Sequence, residues 1–121
     1  GEIARCIYES LAFRYKQVLT DLQKLASFPI KKLHIIGGGS QNNLLNKYTA
    51  DAIGISVIAG PSEATAMGNI LMQAKAAGLI SDIQSARRIV GNSVQLMTFE
   101  PQESDIWGSH YTDYLKVYKE Y

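Results

Sequence analysis

The chain has 121 residues, of which 46% are hydrophobic, and its 12 basic and 11 acidic side chains leave a formal charge of +1. That length suits one domain with a modest core, and the ordinary composition argues against a collagen-like, disordered or membrane-embedded protein. With neither a basic field nor an acidic tail, nucleic acid and strongly charged partners are not expected.

In chain order, apolar residues first recur at Ile3, Ile7, Leu11, Val18, Leu22 and Leu25, with Arg14, Lys16, Gln17, Gln23 and Lys24 on the other side. This spacing predicts one long amphipathic helix from Glu2 to about Ala26. Ser27-Phe28-Pro29 ends it, because proline disfavours the α conformation in the residue before it. Helical periodicity is already running by Ile3 with no initiating Met, so the chain is expected to be a fragment. The single cysteine, Cys6, has no partner for an internal disulfide, and no signal segment or long apolar run is present. Together these point to a reducing, cytoplasmic setting without a membrane. Beside Arg5 and lacking a partnering histidine, Cys6 is expected to be a small packed hydrophobe.

Lys32-Leu33-His34-Ile35-Ile36 then reads as a short buried strand that runs through Gly37-Gly38-Gly39 into a helix start near Gln41. Glycines permit positive φ and let a ligand approach main-chain N–H groups that no side chain shields. A helix start adds unpaired N–H groups and a positive dipole end, so a nucleotide is the natural guest of this corner. The helical spacing of Leu44, Leu45, Tyr48, Ala52 and Ile53 ends at Gly54, a candidate left-handed cap, and Ile55 to Ala59 reads as a second strand. The result is a βαβ unit with parallel pairing and a right-handed crossover.

After Gly60-Pro61, Ser62 or a neighbour caps a helix from Glu63 to about Ala77, whose many alanines predict close packing against neighbours. Ser81 and Asp82 start a short helix through Val90, broken at Gly91-Asn92-Ser93, and Val94 to Phe99 reads as a final strand or an extended arm. Ser104 or Asp105 caps a helical tail, about 104–121, in which Trp107, Tyr111, Tyr114, Tyr118 and Tyr121 share one face. Without a basic groove, that stripe is a docking face rather than a base-stacking platform.

The glycine run is not a complete dinucleotide fingerprint: Gly37 and Gly39 match its first two glycines, but Asn42 stands where the third would permit close helix packing. Glu63 lies in a helix start rather than at the tip of the second strand, where a ribose would need it. Nor is the run a phosphate-binding P-loop, since no Gly-Lys-Ser or Gly-Lys-Thr follows. Gln41 and Asn42 offer neutral amides, which suit a nucleoside or an α-phosphate better than a γ-phosphate that demands cationic neutralisation. His34, His110 and Cys6 have no metal-ligand spacing.

Several blocks in order carry a resemblance: Ile36-Gly37-Gly38-Gly39-Ser40-Gln41-Asn42 with Leu44-Leu45-Asn46, Thr49-Ala50-Asp51-Ala52, Val57-Ile58-Ala59-Gly60-Pro61, and Glu63-Ala64-Thr65-Ala66-Met67-Gly68-Asn69. Together with Ile3-Ala4-Arg5 and Glu9-Ser10-Leu11-Ala12 they resemble the C-terminal lobe of the FGGY carbohydrate kinases over nearly the whole chain. The resemblance implies an α/β fold, part of a ribonuclease H-like (actin-like ATPase) lobe with a short parallel sheet and flanking helices, here a single lobe over residues 1–121. It further implies transfer of the ATP γ-phosphoryl group, with Mg2+, to a sugar hydroxyl, most closely the 1-hydroxyl of L-rhamnulose. A xylulose or glycerol kinase, or a non-catalytic interaction module, is the alternative.

By the same resemblance Gly38 matches the nucleotide-contacting glycine and Asn42 the asparagine near the adenine. Gly37, Gly39, Ser40 and Gln41 are ATP-binding candidates by adjacency. The catalytic base and the sugar site belong upstream in this family, and none of Asp21, Asp51, Asp82, Asp105 or Asp113 matches the base. Asp51 reads instead as a solvent or capping carboxylate. The chain alone is therefore expected to be inactive, to meet ATP or ADP at the glycine corner, and to self-associate through an open sheet edge and apolar helix faces.

Overall fold

The computed structural model describes residues 1–118. Helix α1 (Glu2–Leu25) stops where Ala26 turns extended, just ahead of Ser27-Phe28-Pro29. Strand β1 (Lys32–Ile35) leads into a 3-10 turn at Gly38–Gln41 and then helix α2 (Asn43–Ile53). Gly54 closes α2 in the left-handed conformation, φ 73°, with its N–H donating to Ala50 O, as the residue pattern predicts. Strand β2 (Ser56–Ala59), helices α3 (Ala64–Ala76) and α4 (Ile83–Ser93), strand β3 (Met97–Phe99) and helix α5 (Ser104–Val117) complete the order.

The expected parallel βαβ unit is present: Leu33 lies opposite Val57 and Ile35 opposite Ala59. The last apolar stretch forms β3, which pairs antiparallel to β2 with Val57 opposite Phe99. Sheet order is β1-β2-β3, so one edge of β1 carries no strand among the described residues. Val57 and Ala59 are buried where α2 packs against β2, and α1 and α5 in turn pack on α2. Small residues set those contacts, since Ala12, Ala50 and Ala52 are at most 1% exposed and let the helices approach closely.

Phe13 of α1 meets Trp107 of α5 edge-on, ring centroids 5.3 Å apart, and Tyr48 of α2 meets the indole at a tilt, 5.1 Å between centroids. Tyr111 and Tyr114 join the same cluster, so the aromatic stripe is a docking face as expected; Tyr121 lies outside the described residues. Lys16 Nζ sits over the Tyr111 ring at 4.8 Å, and partial burial there lowers the pKa of its ammonium.

Asp51 is buried rather than solvated, and its Oδ1 accepts hydrogen bonds from the N–H groups of Gln102 (2.6 Å) and Glu103 (3.2 Å). It thus caps the start of α5 from another helix. Neither Ser104 nor Asp105 does so: the residue flanking α5 is Glu103, which makes no side-chain cap bond. At α4 the expected local cap holds, because Asp82 Oδ1 accepts from Ser85 N–H at 2.7 Å.

Several expectations fail for one reason, the choice of face. An amphipathic helix ordinarily turns its apolar stripe inward, but Ile3, Ile7, Leu11, Val18, Leu22 and Leu25 of α1 are all exposed. The side that packs carries Ala12 and Phe13 instead. Cys6 is likewise exposed, not packed. Helix α3, rich in small residues, buries none of them. A separate difference is one of extent: helix α4 runs on through Gly91 and Asn92, since Ser93 Oγ–H donates to Ile89 O and Val94 N–H to Val90 O.

Asp51→Ala removes two charge-assisted bonds that a buried carboxylate makes to the start of α5, so it should destabilise the docked α5 by about 1–3 kcal/mol. Trp107, the single tryptophan, reports this directly: its emission should shift to the red at lower urea than in the unaltered chain. An unchanged midpoint would show that the aromatic cluster docks α5 without the carboxylate.

Candidate functional site

The glycine corner lies at the C-terminal ends of the two parallel strands, the position where open α/β sheets hold their ligands. It is fixed by a pair of main-chain bonds just past the strand ends. Gly60 N–H donates to Ile35 O at 2.8 Å, and Gly37 N–H donates to Pro61 O at 2.9 Å. Beyond Gly37 the chain makes one 3-10 turn rather than entering an α-helix near Gln41, and Asn42 is the cap of α2. The short turn replaces the helix start because Gly37 O accepts from both Ser40 N–H (3.0 Å) and Ser40 Oγ–H (2.7 Å).

The three glycines serve different ends. Gly37 has φ 76° and ψ −164°, a region essentially reserved for glycine, so the backbone itself requires it. Its N–H and C=O are both engaged within the chain. Gly38 and Gly39 have no positive φ, and their N–H groups have no acceptor among the described residues. A Cβ placed on Gly38 would meet nothing within 4 Å, and one on Gly39 would make an ordinary 3.8 Å contact with Ile35 Cγ2. Nothing inside the chain forbids a side chain at Gly38; what glycine leaves there is unobstructed access to two exposed donors.

The neighbouring side chains divide in the same way. Ser40 is buried and spends its hydroxyl on Gly37 O. Gln41 is exposed. Asn42 Oδ1 accepts from Leu45 N–H at 3.1 Å, which caps α2 and leaves its Nδ2 as the group free of a partner among the described residues. Asn46 was not among the sequence candidates, yet it is fully buried beneath the turn with Nδ2 donating to Ser40 O at 2.9 Å. Its place one helical turn after Asn42 was the available signal. Gly38, Gly39, Gln41 and Asn42 Nδ2 thus form the outward set, while Gly37, Ser40 and Asn46 hold it from behind.

Ile36, next to the glycine turn in sequence, lines an apolar cavity of about 450 Å³ together with Gly60, Pro61, His34, Leu71 and Met72. Gly37 to Asn42 are not among its lining residues, so the cavity flanks the strand ends rather than the glycine turn itself. Among the described residues no group of three or more His, Cys, Asp or Glu is placed to hold a metal ion, and no helix is long and apolar enough to cross a membrane.

A parallel strand–glycine turn–helix–strand unit with outward amides defines the class of α/β lobe, and comparison with known families places it. Residues 1–77 match the FGGY family of carbohydrate kinases, C-terminal domain. The chain belongs to that family. It is 52% identical over 92% of its length to a rhamnulokinase of Bacteroides thetaiotaomicron, covering 23% of that protein. It is 48% identical over 87% of its length to the Bacillus subtilis rhamnulokinase, covering 22% of it, and 42% identical over 97% to that of Yersinia pestis, covering 24%. The chain thus spans about a quarter of the length of these relatives.

The different roles of the glycines are separable by stability. Gly37→Ala should cost about 1–3 kcal/mol, because alanine cannot adopt that backbone without strain. Gly38→Ala should change stability by less than about 1 kcal/mol. Urea unfolding of the two variants checks this, and equal losses would mean that Gly38 is also held by the fold.

Proposed function

We propose that this chain is the C-terminal, adenosine-phosphate-binding part of a two-lobed rhamnulokinase, which transfers the ATP γ-phosphoryl group to the 1-hydroxyl of L-rhamnulose. The observation that carries this reading is the pair of unpaired, exposed N–H groups at Gly38 and Gly39 with no intramolecular need for glycine at Gly38. Rhamnulokinases as the relatives across most of the chain support the choice of sugar.

In the proposed complex, Gly38 and Gly39 N–H donate to the nucleotide phosphates, and Asn42 Nδ2 and Gln41 lie on the adenosine side. Neutral main-chain donors orient the nucleotide and stabilise charge without reorganising during the reaction. In the transfer step the sugar hydroxyl oxygen bonds to the γ-phosphorus as the bond to the β,γ-bridging oxygen breaks, ADP leaves, and the hydroxyl proton passes to a carboxylate base. That base is assigned to the remainder of the enzyme. Asp21 pairs with Lys24, Asp51 caps α5, Asp82 caps α4 and Asp113 pairs with Lys116, which supports the assignment. Magnesium belongs to the proposal as the partner of ATP, where it would neutralise phosphate charge.

The open edge of β1 and the exposed stripe of α1 support the reading of residues 1–121 as one portion of a larger lobe, whose remaining strands and helices cover them. We assign the sugar site to that remainder and a cytoplasmic location to the enzyme. The chain on its own is expected to be inactive and, with that edge and stripe uncovered, to self-associate.

In sedimentation, the isolated chain should run as a dimer or larger species; a monomer at high concentration would contradict uncovered adhesive surfaces. In the intact enzyme, Gly38→Ala should raise the KM for ATP by roughly tenfold or more while leaving the KM for L-rhamnulose unchanged. A preference for xylulose or glycerol over L-rhamnulose in a sugar panel would overturn the substrate, and an unchanged ATP KM would overturn the site.

A further inference from the structure

We propose that Asn46 is a positioning residue for the nucleotide turn, acting through Ser40, an inference that rests on the reading of the glycine corner as the ATP site. Three bonds in series carry it. Asn46 Nδ2 donates to Ser40 O at 2.9 Å, Ser40 Oγ donates to Gly37 O at 2.7 Å, and Gly37 N–H donates to Pro61 O at 2.9 Å. The relay runs from the buried side of α2, through the turn, to the end of β2. It holds Gly37 O, whose peptide plane carries the Gly38 N–H, and Ser40 O at the far end of the turn, and so limits the directions in which the Gly38 and Gly39 N–H groups between them point.

The chemistry of Asn46 argues for this role over simple packing. Its side chain is wholly buried, and while Nδ2 is bonded, Oδ1 has no partner among the described residues. A buried unpaired acceptor is a penalty that leucine, of similar shape, would avoid. What an amide at this position supplies is its donor, and the acceptor of that donor is the turn. Thr49, also buried on α2, spends its hydroxyl on Leu45 O and contributes nothing to the turn. A glycine-rich turn has many accessible conformations, so one anchoring bond from a rigid helix has large leverage on where its donors point.

The test uses the intact enzyme with ATP and L-rhamnulose. Asn46→Leu removes the donor together with the unpaired oxygen. It should raise the KM for ATP by roughly tenfold to a hundredfold, leave the KM for the sugar unchanged, and leave the melting temperature near that of the unaltered enzyme. Asn46→Asp places a carboxylate against Ser40 O, so ATP should bind poorly at neutral pH. As pH falls, the buried carboxyl takes up a proton, becomes a donor and should restore much of the affinity for ATP. A merely structural role would not produce that recovery. An unchanged ATP KM in Asn46→Leu, or parallel losses for both substrates with a lowered melting temperature, overturns the proposal. Gly38→Ala separates the two levels: if it weakens ATP binding while Asn46→Leu does not, the relay alone falls, and if neither does, the assignment of the corner falls with it.

Discussion

The reciprocal main-chain bonds past the strand ends, Gly60 N–H to Ile35 O and Gly37 N–H to Pro61 O, are the constraint on which the site depends. Parallel strands leave their last polar groups to whatever follows them. Here each strand is continued by a bond to the segment that leaves the other, so the glycine turn begins from a fixed point. Gly60, with φ 112° and Leu96 Cδ2 only 3.2 Å from where a Cβ would stand, shows how closely the connection to β3 presses on this junction. The turn is consequently a built feature of the sheet and not a loose loop attached to it.

From that point the donors are arranged by subtraction. Gly37, Ser40, Asn42 Oδ1 and Asn46 Nδ2 are consumed internally, and what is left facing outward is a small set of neutral N–H groups. Neutral donors on a rigid frame give orientation and moderate affinity, whereas a γ-phosphate in transfer requires charge neutralisation. On the proposed reading a division of labour follows, in which this part holds the nucleotide and the chemistry is performed by groups carried elsewhere.

The far side of the molecule obeys a different logic. Helix α5 is held by Asp51 at its start and by the packing of Trp107 against Phe13 and Tyr48, with no use of its own residues as caps. Helix α1 gives its smaller, mixed face to this packing and leaves its continuous apolar stripe outside. Aromatic packing here outweighs burial of the larger aliphatic face.

Local chemistry, written in the sequence, determined the βαβ unit, the left-handed ending at Gly54, the cap at Asp82 and the need for glycine at the end of the first strand. Those features depend on periodicity and on hydrogen bonds between near neighbours, which are properties of short stretches. Only the tertiary structure decided that Gly38 and Gly39 are free while Gly37 is not, that Asn46 lies under the turn, that Asp51 reaches 51 residues along the chain to cap α5, and that the α1 stripe and Cys6 face outward. A donor is free or consumed, and a helix face buried or bare, according to partners brought together through space. Spacing along one stretch of chain carries no record of them.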